Sequence, residues 1–412
     1  MSDMLLPPGE NPHEPARSTP DFLPVPSPAD NASPTPAESC GRTAVVEFFD
    51  ESFRPQAHPG HKPGPGLPES LIWIAGLFTV QIVGSLFVTL LVALPLMTST
   101  VTLPELPSFL MSLGEPGSPY LATLICSTQL LLLLAAVVAV PLRFAGRTAQ
   151  ALNTALPHPL HVAAIAGLVL PLGWFSSEIY RVALAGWQRL ADTRPWMQLF
   201  DHTSSVELVQ SAGGTMPLGH LLLAFAIVPA VAEELLFRGV IGRGLVARWG
   251  MVAGVAMASL LFAVVHVHPV HVAAVIPIGI ALHLIYLATR SFWAPVLLHF
   301  LNNAWATVAS EMASRGGADP LSLEAPFSPA LLLSSLTTII VLGALLYRTR
   351  TRYLLADGEE WSPGYVTAEQ PPADLTVTQD NGLCSRRVLL TAGSAWAAFA
   401  VAFAAELVAF AR

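Results

Sequence analysis

The stretch AIVPAVAEELLFRGVIGRGL, residues 226–245, joins an apolar run to two adjacent carboxylates, Glu233 and Glu234, with Arg238 one helical turn later. A charged side chain within a bilayer is costly and by default marks a functional site or an ion pair. Glu234 and Arg238 are spaced i, i+4 with the acid first, the favourable order for a helical ion pair. We therefore expect Glu234 and Arg238 to form a structural pair. Neighbouring helix residues point about 100° apart, so Glu233 needs a different partner.

The rest of the chain has the composition of a membrane protein. Its 412 residues are 53% hydrophobic and only 12% charged, whereas soluble domains carry roughly 25% charged residues. Apolar stretches of about 18 or more residues indicate membrane helices. Such stretches lie near 70–97, 119–142, 160–184, 217–237, 250–268, 270–288, 292–311, 328–347 and 388–410. The sequence therefore predicts an all-α, polytopic membrane helix bundle with eight or nine transmembrane helices.

Composition also divides the chain into segments. Residues 1–68 are rich in Pro, Ser, Ala and acidic residues, so they cannot bury enough apolar surface to fold and are predicted to form a disordered tail. N-terminal transmembrane helices (69–159) and a core that holds the polar residues (160–312) follow. C-terminal transmembrane helices (313–412) include a loop at 348–387. Arginines cluster in alternate loops, which places the tail and this loop on the cytoplasmic side.

Two later apolar stretches supply partners for Glu233. In APVLLHFLNNAW, His299 and Asn303 are four residues apart and lie on one face of a helix. In SLLFAVVHVHPVH, Phe262 and His266 have the same spacing. A turn at Trp249-Gly250 would place Glu233, 16 residues before Trp249, and His266, 17 residues after it, at nearly the same depth. We therefore expect Glu233 to face His266.

These residues form three motifs in one membrane domain. They are, in chain order, Glu233-Glu234-x-x-x-Arg238, Phe262-x-x-x-His266 and His299-x-x-x-Asn303. Together they resemble the CAAX protease and bacteriocin-processing family, intramembrane proteases that include the type II CAAX prenyl endopeptidases and the bacterial Abi proteins. The resemblance covers about residues 160–312. It implies an intramembrane endopeptidase that cleaves a lipidated or membrane-embedded peptide, in a multi-pass protein of the bacterial inner membrane.

The resemblance also suggests roles for the residues. Glu233 looks like the residue that activates the attacking water and His266 like its partner there, while His299 and Asn303 look like polarisers of the scissile carbonyl. Two histidines and a carboxylate with an open position suit zinc, so Glu233, His266 and His299 are candidate ligands. Preorganised donors in a dry site suit a metal-free route equally well. The sequence leaves both mechanisms open.

Other functions remain compatible with the sequence. A non-catalytic membrane scaffold or immunity protein would keep the same bundle, and a proton-coupled transporter would use Glu233 and the histidines as a relay. The expected partners are membrane lipid and a peptide or protein substrate. The net charge of −8 lies largely in tails and loops and indicates no nucleic-acid partner.

The remaining polar residues receive structural interpretations. We expect His268 and His271 to be loop histidines at the membrane interface, and His283 to be a packed core histidine. Glu178 and Arg181, spaced i, i+3, are expected to form an interfacial bridge.

Overall fold

The computed structural model describes residues 64–97, 102–145, 148–194, 196–197, 199–200, 205–316, 327–354, 376–379 and 386–410. Most of the predicted tail, residues 1–63, lies outside these ranges. The α-helices in the first half of the chain are α1 (Leu67–Ala93), α2 (Leu106–Ser112), α3 (Leu121–Arg143), α4 (Thr148–Leu152), α5 (Pro159–Thr193) and α6 (Ser205–Ala212). In the second half they are α7 (Leu218–Leu222), α8 (Val228–Glu234), α9 (Gly242–Val264), α10 (Pro269–Thr289), α11 (Trp293–Ser314), α12 (Pro329–Arg348) and α13 (Arg386–Phe410).

Helix α8 lies between two short π-helices, π1 (Leu223–Ile227) and π2 (Leu235–Ile241). The stretch from Leu218 to Val264 is helical apart from a break at Gly250, and its pitch changes on both sides of α8. Short π-helical segments are rare and often occur at functional sites. Here they bracket the turn of helix that carries the two glutamates.

The predicted turn at Trp249-Gly250 divides this stretch into two arms. Gly250 has φ 77° and ψ 177°, which is not helical, and its positive φ is one that glycine adopts without strain. The two arms then pack closely on each other, because a Cβ added to Gly254 would lie only 2.4 Å from the Cα of Val246. The chain thus forms the helical hairpin expected from the sequence.

Among the described residues, seven helical segments are long and apolar enough to cross a membrane. They are Leu67–Leu96, Leu121–Arg143, Pro159–Thr193, Leu218–Val264, Pro269–Thr289, Pro329–Arg348 and Arg386–Val408. A polytopic helical membrane protein is confirmed, whereas the count of eight or nine is not. Two predicted spans, 217–237 and 250–268, correspond to the two arms of the one segment Leu218–Val264. The predicted span 292–311 is helix α11, which falls outside the seven and carries His299 and two asparagines.

The long helix α5 is at the centre of the bundle. It contacts α10, α11 and α12, and its apolar side chains join the largest buried cluster of the described residues. Representative members of this cluster are Ile165, Leu168, Leu172, Phe262, Leu282, Leu298 and Leu345. The last helix, α13, packs on α12 and lies at the periphery, with 11% of its most apolar window buried.

The chain also contains a small β-ladder that the sequence analysis did not predict. Strand β1 (Thr351–Leu354) pairs antiparallel with β2 (Thr376–Gln379), with Thr351 opposite Gln379. Both strands lie within the loop predicted at 348–387, and they are the exception to an otherwise helical architecture in the described ranges.

Candidate active site

Glu234 and Arg238 form an ion pair in the interior of the bundle. Arg238 Nη1 lies 2.8 Å from Glu234 Oε1, and the two side chains are 1% and 0% exposed. Arg238 Nη2 also donates to the carbonyl oxygen of Gly279 in α10 at 3.0 Å. Its guanidinium carbon lies 4.4 Å from the centre of the Phe262 ring, a cation–π distance. Arg238 therefore ties π2 to both α9 and α10.

His299 brings the third motif against both glutamates. Its Nδ1 lies 2.8 Å from Glu234 Oε1, and its Nε2 lies 3.9 Å from Glu233 Oε2. A carboxylate only accepts hydrogen bonds, so Nδ1 carries the hydrogen in this contact. In the neutral ring, Nε2 is then a bare acceptor that faces Glu233. Glu234, which the sequence analysis treated as structural, thus also fixes the orientation of His299.

Glu233 has the less satisfied carboxylate of the two. Its side chain is 19% exposed, yet Oε2 is buried and makes no hydrogen bond to any described residue. A separation of 3.9 Å from His299 Nε2 is too long for a direct hydrogen bond. At such a distance, a single water can bridge two polar groups. The gap between Glu233 and His299 is therefore wide enough for a water-mediated contact.

His266 is linked to Arg238 and His299 through its contacts with Phe262. Its Nδ1 donates to the carbonyl oxygen of Phe262 at 3.1 Å, which leaves Nε2 as the acceptor in a neutral ring. The Phe262 ring lies edge-on to both His266 and His299, at 5.5 and 5.7 Å between centroids. Within the described residues, Glu233 makes its close contact with His299 on α11, and no ion-pair contact joins it to His266.

Asn303 lies one turn beyond His299 on α11. Its Nδ2 donates to the carbonyl oxygen of Phe225 in π1 at 3.1 Å. Its neighbour Asn302 is also buried, and Asn302 Nδ2 lies 3.5 Å from Asn303 Oδ1. One amide hydrogen of Asn303 is thus engaged by the backbone, and the second is available for another acceptor.

The predicted zinc ligands do not converge in this arrangement. No group of three or more His, Cys, Asp or Glu side chains within the described ranges could hold a metal ion. His299 uses Nδ1 for Glu234, and His266 uses Nδ1 for the Phe262 carbonyl. The donor set of Glu233, His266 and His299 therefore does not fit a shared ion in this arrangement.

Four residues that the sequence predicts to lie at the membrane interface are buried within the bundle. His268 and His271 are 3% and 5% exposed, and Glu178 and Arg181, which pair with each other, are 4% and 7% exposed. The ring of His268 packs against Trp187, and the ring of His271 packs against Tyr180, both in α5. Spacing identified the pair of Glu178 and Arg181 correctly, but spacing along one helix does not show whether other helices cover the pair.

Among the described residues, sequence reasoning missed the contact of Glu234 with His299 and the central position of Phe262. The i, i+4 partner of Glu234 seemed sufficient, so nothing indicated a second one. Phe262 did recur in a motif with His266, four residues apart, and that spacing is the signal that places its ring between two histidines.

Comparison with known proteins agrees with this geometry. No curated protein and no solved structure matches the chain. The family model described as type II CAAX prenyl endopeptidase Rce1-like matches residues 216–305, which include all three motifs. This is a family of proteases, and the apolar helices make the chain an integral membrane protein. The segment that builds the site is therefore similar to the type II CAAX prenyl endopeptidase Rce1-like family.

Proposed function

We propose that this protein is an intramembrane endopeptidase that uses Glu233 to activate a water molecule. The observation that carries the proposal is the placement of Glu233 Oε2, which is buried, lacks a hydrogen bond among the described residues and lies 3.9 Å from His299 Nε2. A carboxylate and an imidazole acceptor face each other across this gap. A water there can donate one hydrogen to each of them, which directs its lone pair toward a substrate.

The chemistry would proceed as acid–base catalysis by the glutamate. Glu233 takes a proton from the water while the water oxygen bonds to the carbonyl carbon of the substrate. The π electrons of the C=O bond move to the carbonyl oxygen, which becomes the oxyanion. Collapse of this intermediate breaks the C–N bond, and Glu233 returns the proton to the leaving nitrogen. His299, held by Glu234, keeps the water oriented in a role analogous to a carboxylate–histidine pair.

The oxyanion would be stabilised by a donor on α11. Asn303 has a second amide hydrogen beyond the one that bonds Phe225, and preorganised donors in a water-excluded site are strongly stabilising. His266, whose Nε2 is left as an acceptor by its bond to Phe262, is assigned to proton exchange at the water or the leaving group.

An apolar groove supports a substrate with a lipid chain or a membrane-embedded segment. It has a volume of about 470 Å³ and runs between the α4–α5 connection, π1, α8 and α11. Val231 lines it two residues before Glu233, and Val296 and Phe300 line it on either side of His299 along α11. We propose that the apolar part of the substrate lies in this groove while the scissile bond faces Glu233. The arginine distribution supports a cytoplasmic N-terminus, and the bacterial inner membrane is the proposed location.

The test is cleavage of lipidated and unlipidated membrane peptides by the wild type and the variants Glu233→Gln and His266→Ala. We expect both variants to lose cleavage, since each removes a group that handles the proton. Glu406→Gln on the peripheral helix α13 is the matched control and should cleave normally. Cleavage that persists in Glu233→Gln and His266→Ala would overturn the assignment and favour a scaffold.

Treatment with a chelator separates the two chemical routes. The metal-free proposal expects an unchanged rate. Inhibition that zinc reverses would show that the side chains rearrange to bind an ion, and would replace this mechanism while leaving the protease assignment intact.

A further inference from the structure

His268 begins helix α10 and caps its first turn. Its Nδ1 accepts a hydrogen bond from the backbone N–H of Val270 at 3.3 Å, and Pro269 occupies the first helical position. The ring is 3% exposed and lies against Trp187 and His271, with centroid distances of 5.5 and 5.4 Å. The cap bond satisfies a backbone N–H that otherwise has no partner at the start of the helix. Together with the burial of the ring, this bond holds His268 in one position.

A tight turn connects this cap to His266. The backbone N–H of His268 donates to the carbonyl oxygen of His266 at 2.6 Å, and Val267 between them has φ 62°. A β-branched residue strongly disfavours positive φ, and a three-residue turn of this hand is rare and strained. The side chain of Val267 is 40% exposed, so its own burial does not hold the turn. The contacts of His266 and His268, on either side of Val267, must therefore hold the turn.

The contacts on the other side of the turn are those of His266, which belongs to the candidate site. His266 Nδ1 donates to the carbonyl oxygen of Phe262 at 3.1 Å, and its backbone N–H donates to Ala263 at 3.0 Å. His266 is thus the last residue fixed by α9, and His268 is the residue that fixes the start of α10. Backbone strain that neighbours impose is common next to active sites.

We infer that His268 is a positioning residue for His266. By capping α10 and packing under Trp187, it holds the strained turn at Val267 and with it the ring of His266. This inference rests on the proposed function, because it assigns His268 a part in the same reaction without contact to the substrate.

Removing the cap should therefore affect turnover more than substrate binding. We expect His268→Ala to lower kcat about tenfold or more, because displacements near 1 Å can reduce rates up to about a hundredfold. KM should change by less than about twofold. His268→Asn should restore most of kcat, since asparagine is a good N-cap acceptor.

A second capped helix provides the control for a purely structural role. Ser328 is 6% exposed, precedes Pro329 and accepts a hydrogen bond from the N–H of Leu331 at the same 3.3 Å. It caps α12, which carries none of the proposed site residues. Ser328→Ala should lose stability without loss of kcat. All rates are compared below the unfolding temperature of the least stable variant.

Hydrogen exchange of the peptide that spans 262–268 gives a readout without proteolysis. Exchange should be faster in His268→Ala than in the wild type, and unchanged in Ser328→Ala. Unaltered kcat in His268→Ala, an equal loss in Ser328→Ala or a failure of asparagine to rescue would each overturn the inference. If Glu233→Gln cleaves like the wild type, the proposed function fails instead, while the exchange comparison still tests the link between His268 and the turn.

Discussion

Replacing Arg238 by methionine should strongly destabilise the folded protein. Methionine matches the length of the arginine stem but removes the guanidinium that lies 2.8 Å from Glu234 and 3.0 Å from the Gly279 carbonyl. Glu234 is 0% exposed, so its charge would stay in the apolar interior with only His299 as a partner. Burial of an uncompensated charge is the largest single cost in this substitution.

The expected loss is about 3–5 kcal/mol of unfolding free energy, the cost of removing one partner from a buried ion pair. Loss of the cation–π contact with Phe262, at 4.4 Å, acts in the same direction. A second substitution, Glu234→Gln, removes the orphaned charge and should recover part of the loss. The double variant should therefore be less destabilised than the sum of the single variants by about 1–3 kcal/mol.

The matched control is an exposed ion pair with the same N–O distance. Arg143 Nε lies 2.8 Å from Glu69 Oε1, but these side chains are 40% and 38% exposed. Arg143→Met should cost no more than about 1 kcal/mol. Unfolding midpoints and free energies in one mild detergent compare the variants directly. If Arg238→Met lowers the unfolding free energy by no more than about 1 kcal/mol beyond the loss in Arg143→Met, burial does not determine the strength of the ion pair, and the reasoning is refuted.

Three other outcomes are expected. Gly242→Ala should lower the unfolding free energy by about 1–3 kcal/mol, since the new Cβ would lie 2.2 Å from Cε1 of buried His283. The control Gly343→Ala, with no described atom within 4 Å of its Cβ, should leave the unfolding free energy unchanged or raise it. Glu234→Gln should lower kcat by about tenfold with little change in KM, because it weakens the contact that orients His299; steady-state kinetics that show only a higher KM would argue for a binding role. Incubation with a chelator should leave the cleavage rate within about twofold of the untreated rate, because the donors do not converge on one ion.

Apolar length predicted most of the helical framework. The predicted span 119–142 is helix Leu121–Arg143, and 270–288 is Pro269–Thr289. These segments are predictable because a bilayer requires one continuous apolar helix of fixed minimum length. The count of spans was less predictable, since α11 carries polar residues that lower its hydropathy while they face the bundle interior. Composition alone does not distinguish such a helix from an interfacial one.

The partner of Glu233 illustrates what the sequence leaves undetermined. Counting residues from the turn at Gly250 places Glu233 and His266 at similar depth, but depth does not fix the direction in which a side chain points. Direction depends on helix rotation, and the π-helical segments on both sides of α8 change that rotation without an evident signal in the sequence. The close contact of Glu233 is therefore with His299, which α11 presents directly to α8.

The π-helical segments also explain why the polar residues of the site have structural partners. A π-helix shifts the backbone hydrogen bond to i→i+5, and a carbonyl at the change of pitch can lose its helical donor. Within a bilayer such a group needs another partner. Asn303 donates to the carbonyl oxygen of Phe225 in π1, and Arg238 separately joins π2 to α10 by donating to the carbonyl oxygen of Gly279. Asn303, which is assigned to the oxyanion, thus also stabilises the irregular helix that carries Glu233, so a single residue of the site performs a chemical and a structural role.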